Sequence, residues 1–123
     1  MKTYETLAEW QAEGGRRFGG DDFEKWQFEC PACGHVATVI DFKEFGGQPD
    51  DSYKNCIGRF NGKGVDGMTC SASKKPPPEH GCNWAAYGLF GTLSRGAVVK
   101  NGDKIIEVFD FAEPPSSSPA DVR

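Results

Sequence analysis

Long apolar runs are missing from this chain of 123 residues. No stretch approaches the roughly 20 apolar residues of a membrane helix, and the first residues lack the apolar core of a secretory signal. No membrane partner is expected, and the chain reads as one that works in a cytosol. A basic surplus is missing too: 14 Lys and Arg stand against 18 Asp and Glu, for a formal net charge of −4. That balance counts against tracking of phosphates by a basic face, although a local basic patch stays open. Histidine is scarce, with 2 in the chain. No His-x-Glu is present and Cys30 precedes Pro31, so the deaminase signature is not met. Gly58, Gly62, Gly64 and Gly67 lack the Lys-Ser/Thr of a phosphate-binding loop.

What is plentiful is glycine, 16 residues, with 8 Pro and a hydrophobic fraction of 37%. This is the composition of one loop-rich domain with a modest core, for which a covalent or metal staple is useful. The 5 cysteines are an odd count. In a reducing compartment that reads as a metal site plus a spare rather than as a disulfide framework.

Residues 3–13 read as a short helix, with Thr6 and Glu9 at capping-box spacing and Thr3 as an alternative cap. Leu7 and Trp10 share its apolar face, and Gly14-Gly15 is expected to stop it. Residues 26–30 alternate apolar and polar, and residues 36–42 are rich in β-branched side chains. These two strands flank Cys30-Pro31-Ala32-Cys33-Gly34-His35, so the cysteine pair sits at the tip of a hairpin and Gly34 supplies the tight turn. A second hairpin is expected from residues 98–100 and 104–109, with Asn101-Gly102 suited to a type I′ turn. Between them residues 61–81 read as a long flexible loop. The expectation is an α+β fold, an N-terminal helix packed on a small antiparallel sheet with a zinc-knuckle or zinc-ribbon-like site. Residues 1–112 form that single zinc-stabilised domain, and residues 113–123 are a disordered Pro/Ser-rich tail.

Two close cysteines fill half of a tetrahedral zinc site. The other half is sought among Cys56, Cys70, Cys82, His35 and His80. Cys56 and Cys82 lie next to apolar or aromatic residues that can fix them in a core, whereas Cys70 lies in a polar, flexible stretch. The expected ligands of a structural Zn²⁺ are therefore Cys30, Cys33, Cys56 and Cys82. The rival set replaces Cys56 or Cys82 with Cys70, and His35 or His80 remains an alternative ligand. A redox role for the Cys-x-x-Cys pair would need a helix N-terminus to lower a thiol pKa. The β-branched run after His35 offers none.

The combination of CPACGH, Asn55-Cys56-Ile57-Gly58-Arg59, residues 81–90 (GCNWAAYGLF) and residues 108–111 (VFDF) resembles a family of small, largely uncharacterised proteins encoded by bacteriophages and prophages. The resemblance spans most of the chain between the first strand and the tail. It implies a viral accessory protein acting in the host cytoplasm, and it supports Cys56 and Cys82 as the second ligand pair. It brings no established reaction.

No enzyme is expected. Four thiolates close the metal shell, and a more open site would need a general base. Glu29, Asp41, Glu44 and Glu79, the candidates for that base, read as solvated surface. Partner binding is expected instead, with Arg59, Phe60, Lys63, Lys74 and Lys75 as the candidate surface. The function expected is a zinc-stabilised module that binds a bacterial host protein, in counter-defence or host take-over. The alternative is a nucleic-acid-binding zinc finger that uses the basic loop 59–75.

Overall fold

The computed structural model describes residues 2–20, 22–71, 77–87 and 91–112. The expected 113–123 tail, Lys74, Lys75, Leu89 and Phe90 lie outside the described residues. The fold is α+β, with two small three-stranded sheets. The first strand β1, Lys2–Tyr4, pairs in parallel with β4, Ala97–Asn101. Strand β4 pairs antiparallel with β5, Lys104–Val108, which completes the order β1-β4-β5. The second sheet is antiparallel throughout. It has β2, Gln27–Glu29, at its centre, between β3, Val36–Thr38, and β6, Asp110–Phe111.

Helix α1, Leu7–Phe18, begins at Thr6, whose Oγ1 accepts from the Glu9 backbone N–H. The Glu9 carboxylate accepts in turn from the Glu5 N–H at 3.0 Å, one residue earlier than a capping box would have it. The helix runs through Gly14-Gly15 and ends at Gly19 in the left-handed region, later than the sequence pattern predicts. Packing explains the difference. A Cβ on Gly14 would lie 2.3 Å from the Trp26 ring, so glycine at this position lets the helix and that indole meet. Tertiary contact here outweighs the weak helix propensity of glycine.

The strand expected over 36–42 is cut short for a local reason. Thr38 caps α2, Val39–Glu44, and exchanges hydrogen bonds with Asp41 in a complete capping box. The β4–β5 hairpin forms, with Asn101 paired to Lys104. Its two-residue loop is Gly102-Asp103, with positive φ at Gly102 alone. That is the signature of a II′ turn rather than I′. A short helix α3, Gly58–Asn61, leads up to the region expected as a long loop, and that region itself carries a second, α4, Gly67–Ser71.

The main core gathers Trp10, Trp26, Phe28, Val108, Phe109 and Phe111 with Cys30, Cys33, Cys56 and Cys82. The cysteines are thus part of the same buried body as the aromatic rings. A smaller cluster of Ala37, Phe42 and Ile57 takes up Phe60. Among the described residues no helix is long and apolar enough to cross a membrane.

Candidate metal centre

The β2–β3 hairpin presents the first cysteine pair. Phe28 faces Ala37 and Glu29 faces Val36 across the ladder. Beyond it the Cys30 N–H donates to the His35 carbonyl at 3.0 Å, and the Gly34 N–H donates to the Cys30 carbonyl at 2.9 Å. Gly34 takes φ +82°, a conformation that costs other residues strain. The hairpin expected to carry the Cys30–Cys33 pair at its tip is therefore present, with a shorter second strand than expected.

The second pair comes from a short ladder that the sequence does not announce. Cys56 N–H donates to the Trp84 carbonyl and Ala86 N–H to the Lys54 carbonyl, around an antiparallel bridge between Asn55 and Ala85. Cys82 is bridged in parallel to Val65. The chain passes very close to itself here: a Cβ on Gly81 would lie 2.8 Å from Cys56 Sγ, and one on Gly58 would lie 2.4 Å from the Cys82 carbonyl oxygen.

The result is a buried quartet of Cys30, Cys33, Cys56 and Cys82 whose Sγ atoms all lie within 4.8 Å of one another. Cys30 to Cys82 and Cys33 to Cys56 each measure 3.7 Å between sulfurs. Tetrahedral coordination with metal–sulfur bonds of about 2.3 Å puts ligands about 3.8 Å apart, so the quartet fits a single metal ion. None of the five cysteines is in a disulfide. Cys70, half-buried on α4 and packed against the main core, lies outside the quartet.

The surroundings suit thiolates. Backbone N–H groups of His35, Cys82 and Trp84 donate to the sulfurs of Cys33, Cys56 and Cys82 at 3.4, 3.2 and 3.4 Å. Cys56 is held far below the ordinary thiol range, first by the Cys30 side chain and then by Cys33 and Cys82. Cys30 is pushed far up, first by its hydrogen bond with Cys33, with burial adding to the effect. Four sulfurs this close share protons between them, and a divalent cation that replaces those protons relieves the conflict. Arg95 brings a positive charge to the knuckle, its Nη1 donating to the Pro31 carbonyl at 3.0 Å. Neither Arg95 nor Trp84, the ladder partner of Cys56, stands at a ligand-like spacing, so no sequence motif marks them. Glycine beside cysteine, in Cys33-Gly34 and Gly81-Cys82, is the signal that the sequence carries.

Neither histidine joins the quartet. His35 Nε2 donates to the Glu79 carbonyl at 3.1 Å, and its Nδ1 is buried with no hydrogen-bond partner among the described residues. His80 Nε2 faces the Glu79 carboxylate at 3.6 Å.

The chain matches the VVA0879-like family over residues 6–112. It belongs to that family. No curated protein and no solved structure matches it. The span of the VVA0879-like match takes in all four cysteines of the quartet and stops at the end of β6.

Of the expected partner surface, Arg59 is exposed, lies over the Tyr87 ring at 5.8 Å and donates to the Asn83 carbonyl. Lys63 is exposed as well. Phe60 packs edge-on to Phe42, with ring centroids 5.2 Å apart. Among the nearby aromatic residues, Trp84 is buried, whereas Tyr87 is 64% exposed.

Proposed function

We propose that the quartet binds Zn²⁺ as a structural metal, and that the domain around it is a virus-encoded module that binds a protein of the bacterial host in the host cytoplasm. Its role would be counter-defence or host take-over, and the viral origin rests on the motif resemblance. Zinc is the metal of choice for four thiolates in a closed tetrahedral shell. Such a shell holds the fold and leaves no open position for a substrate.

The observation that carries the interaction reading is a cavity of about 330 Å³ beside the knuckle. Val36 and Phe45 line it, with His35, Asp41, Asn61 and His80 among its polar groups. Val36 and Phe45, and Ile40 on the helix between them, stay exposed although they are large and apolar. Apolar side chains gathered beside a few polar ones are what a partner's surface can cover.

The second reading, a nucleic-acid-binding zinc finger, is favoured by one feature: the Arg59–Tyr87 pair sets a cation and an exposed ring together, as a base-stacking platform does. A pull-down of tagged protein from bacterial lysate, with and without nuclease, separates the two, with zinc quantified in the bait. A discrete protein that survives nuclease and is lost on Ile40→Glu with Phe45→Glu, zinc content unchanged, is the expected result. Capture lost on nuclease treatment and on Arg59→Glu with Lys63→Glu would instead establish the nucleic-acid reading.

A further inference from the structure

On the side of the fold built by α1 and the β2 entry, four aromatic rings form a closed circuit. Trp10 meets Trp26 at 6.0 Å, Trp26 meets Phe23 at 5.0 Å, Phe23 meets Tyr53 at 6.4 Å, and Tyr53 meets Trp10 at 5.2 Å between centroids. Phe28 lies against three of them, within 6.3 Å, and is itself buried. All four rings line a cavity of about 480 Å³ that opens to solvent beside Gln11 and Asp50. The volume is that of a small-ligand site, and the make-up, mostly aromatic with a few polar groups at the mouth, is the usual one.

The charge of the lining decides the class of ligand. Asp50 is the one charged residue among the described residues that line the cavity, and no Lys, Arg or His is among them. Tyr53 reports the same field: burial first, and then the negative charge of Asp50, its hydrogen bond to Asp50 and the charge of Asp51, push its phenol up to about 12. It therefore stays a neutral donor at ordinary pH. Aromatic rings with their negative faces, and one carboxylate at the rim, suit a ligand with an apolar body and a positive head. An anion would meet Asp50 with no cation among the described lining residues to offset it, and a neutral apolar ligand would leave the charge of that carboxylate unbalanced.

We infer that this cavity binds an organic cation, a methylated ammonium group seated among Trp10, Phe23, Trp26 and Tyr53 with Asp50 as its counter-charge. The site is separate from the cysteine quartet and from the cleft beside the knuckle, and it stands whether or not the host-protein reading holds. Two sources carry that chemistry, a free small cation such as choline or a trimethylated lysine side chain.

The test is an NMR titration of the full metal-loaded chain, following the indole N–H signals of Trp10 and Trp26. The probes are choline, its uncharged carbon isostere, and a short peptide carrying trimethyllysine. Choline or the peptide should shift both indoles and bind about tenfold more tightly than the neutral isostere. Asp50→Asn, at an exposed position, should remove most of that preference while the remaining spectrum is unchanged. Tighter binding of the peptide assigns the site to a modified side chain, and tighter binding of choline assigns it to a free cation. Equal binding of the neutral isostere, or no shift of either indole at high probe concentration, would overturn the proposal.

Discussion

At the scale of single residues, Tyr53 shows how position alone changes chemistry. Burial and the neighbouring Asp50 and Asp51 carboxylates raise its phenol to about 12, against an ordinary value of 10.0. A raised folded-state value favours the protonated form in the fold. Tyr53 thus lends its full contribution to stability below about pH 10, and that contribution is lost as pH climbs toward about 12. Titration of phenolate absorbance should show this tyrosine ionising late, and Asp50→Asn should bring its midpoint back toward the ordinary value. A midpoint that does not move with Asp50→Asn would leave burial and the Asp51 charge as the causes.

At the scale of elements, the most informative positions are two neighbouring glycines in α1. Both break helix propensity, and replacing either with alanine gains up to about 1 kcal/mol on that ground alone. Gly14 has no room for it: the added Cβ would sit 2.3–2.6 Å from three ring atoms of Trp26. Overpacking of that kind costs about 1–3 kcal/mol, so Gly14→Ala should lower the melting temperature. Gly15 has its nearest neighbour at 3.4 Å, and Gly15→Ala should raise the melting temperature by the propensity gain. Opposite shifts from adjacent substitutions would show that packing, not propensity, carried the helix through this pair.

The same contrast explains what was legible beforehand. Elements specified by local chemistry could be read: the Thr6 cap, the β2–β3 hairpin with Gly34 at its turn, and the β4–β5 hairpin. The four cysteines brought together were legible because residue type and neighbours narrowed the choice among five. Elements specified by distant contacts could not be read. The parallel pairing of β1 with β4 joins residues 2–4 to 97–99, and the ladder that holds Cys56 and Cys82 is a pair of isolated bridges. No periodicity in a segment reports a partner so far along the chain.

At the scale of the whole molecule, the quartet joins segments that lie far apart in the sequence. Cys30 and Cys33 belong to the β2–β3 hairpin, while Cys56 and Cys82 close a ladder on the other side of residues 57–81. The β2 strand that leads into Cys30 also pairs with β6, so the quartet is tied to that strand through one hydrogen-bonded sheet. A structural zinc contributes on the order of 10 kcal/mol or more, and a domain of this size is stable by only about 5–15 kcal/mol. On the proposed zinc reading, removing the metal would therefore take away as much as the fold has to lose. Chelation, Cys33→Ser and Cys56→Ser should each abolish the cooperative melt, and Cys70→Ser should keep both the melt and one zinc per chain. A metal-free chain that melts cooperatively at the same temperature would mean that the aromatic core suffices by itself, and that the four sulfurs are passengers in it.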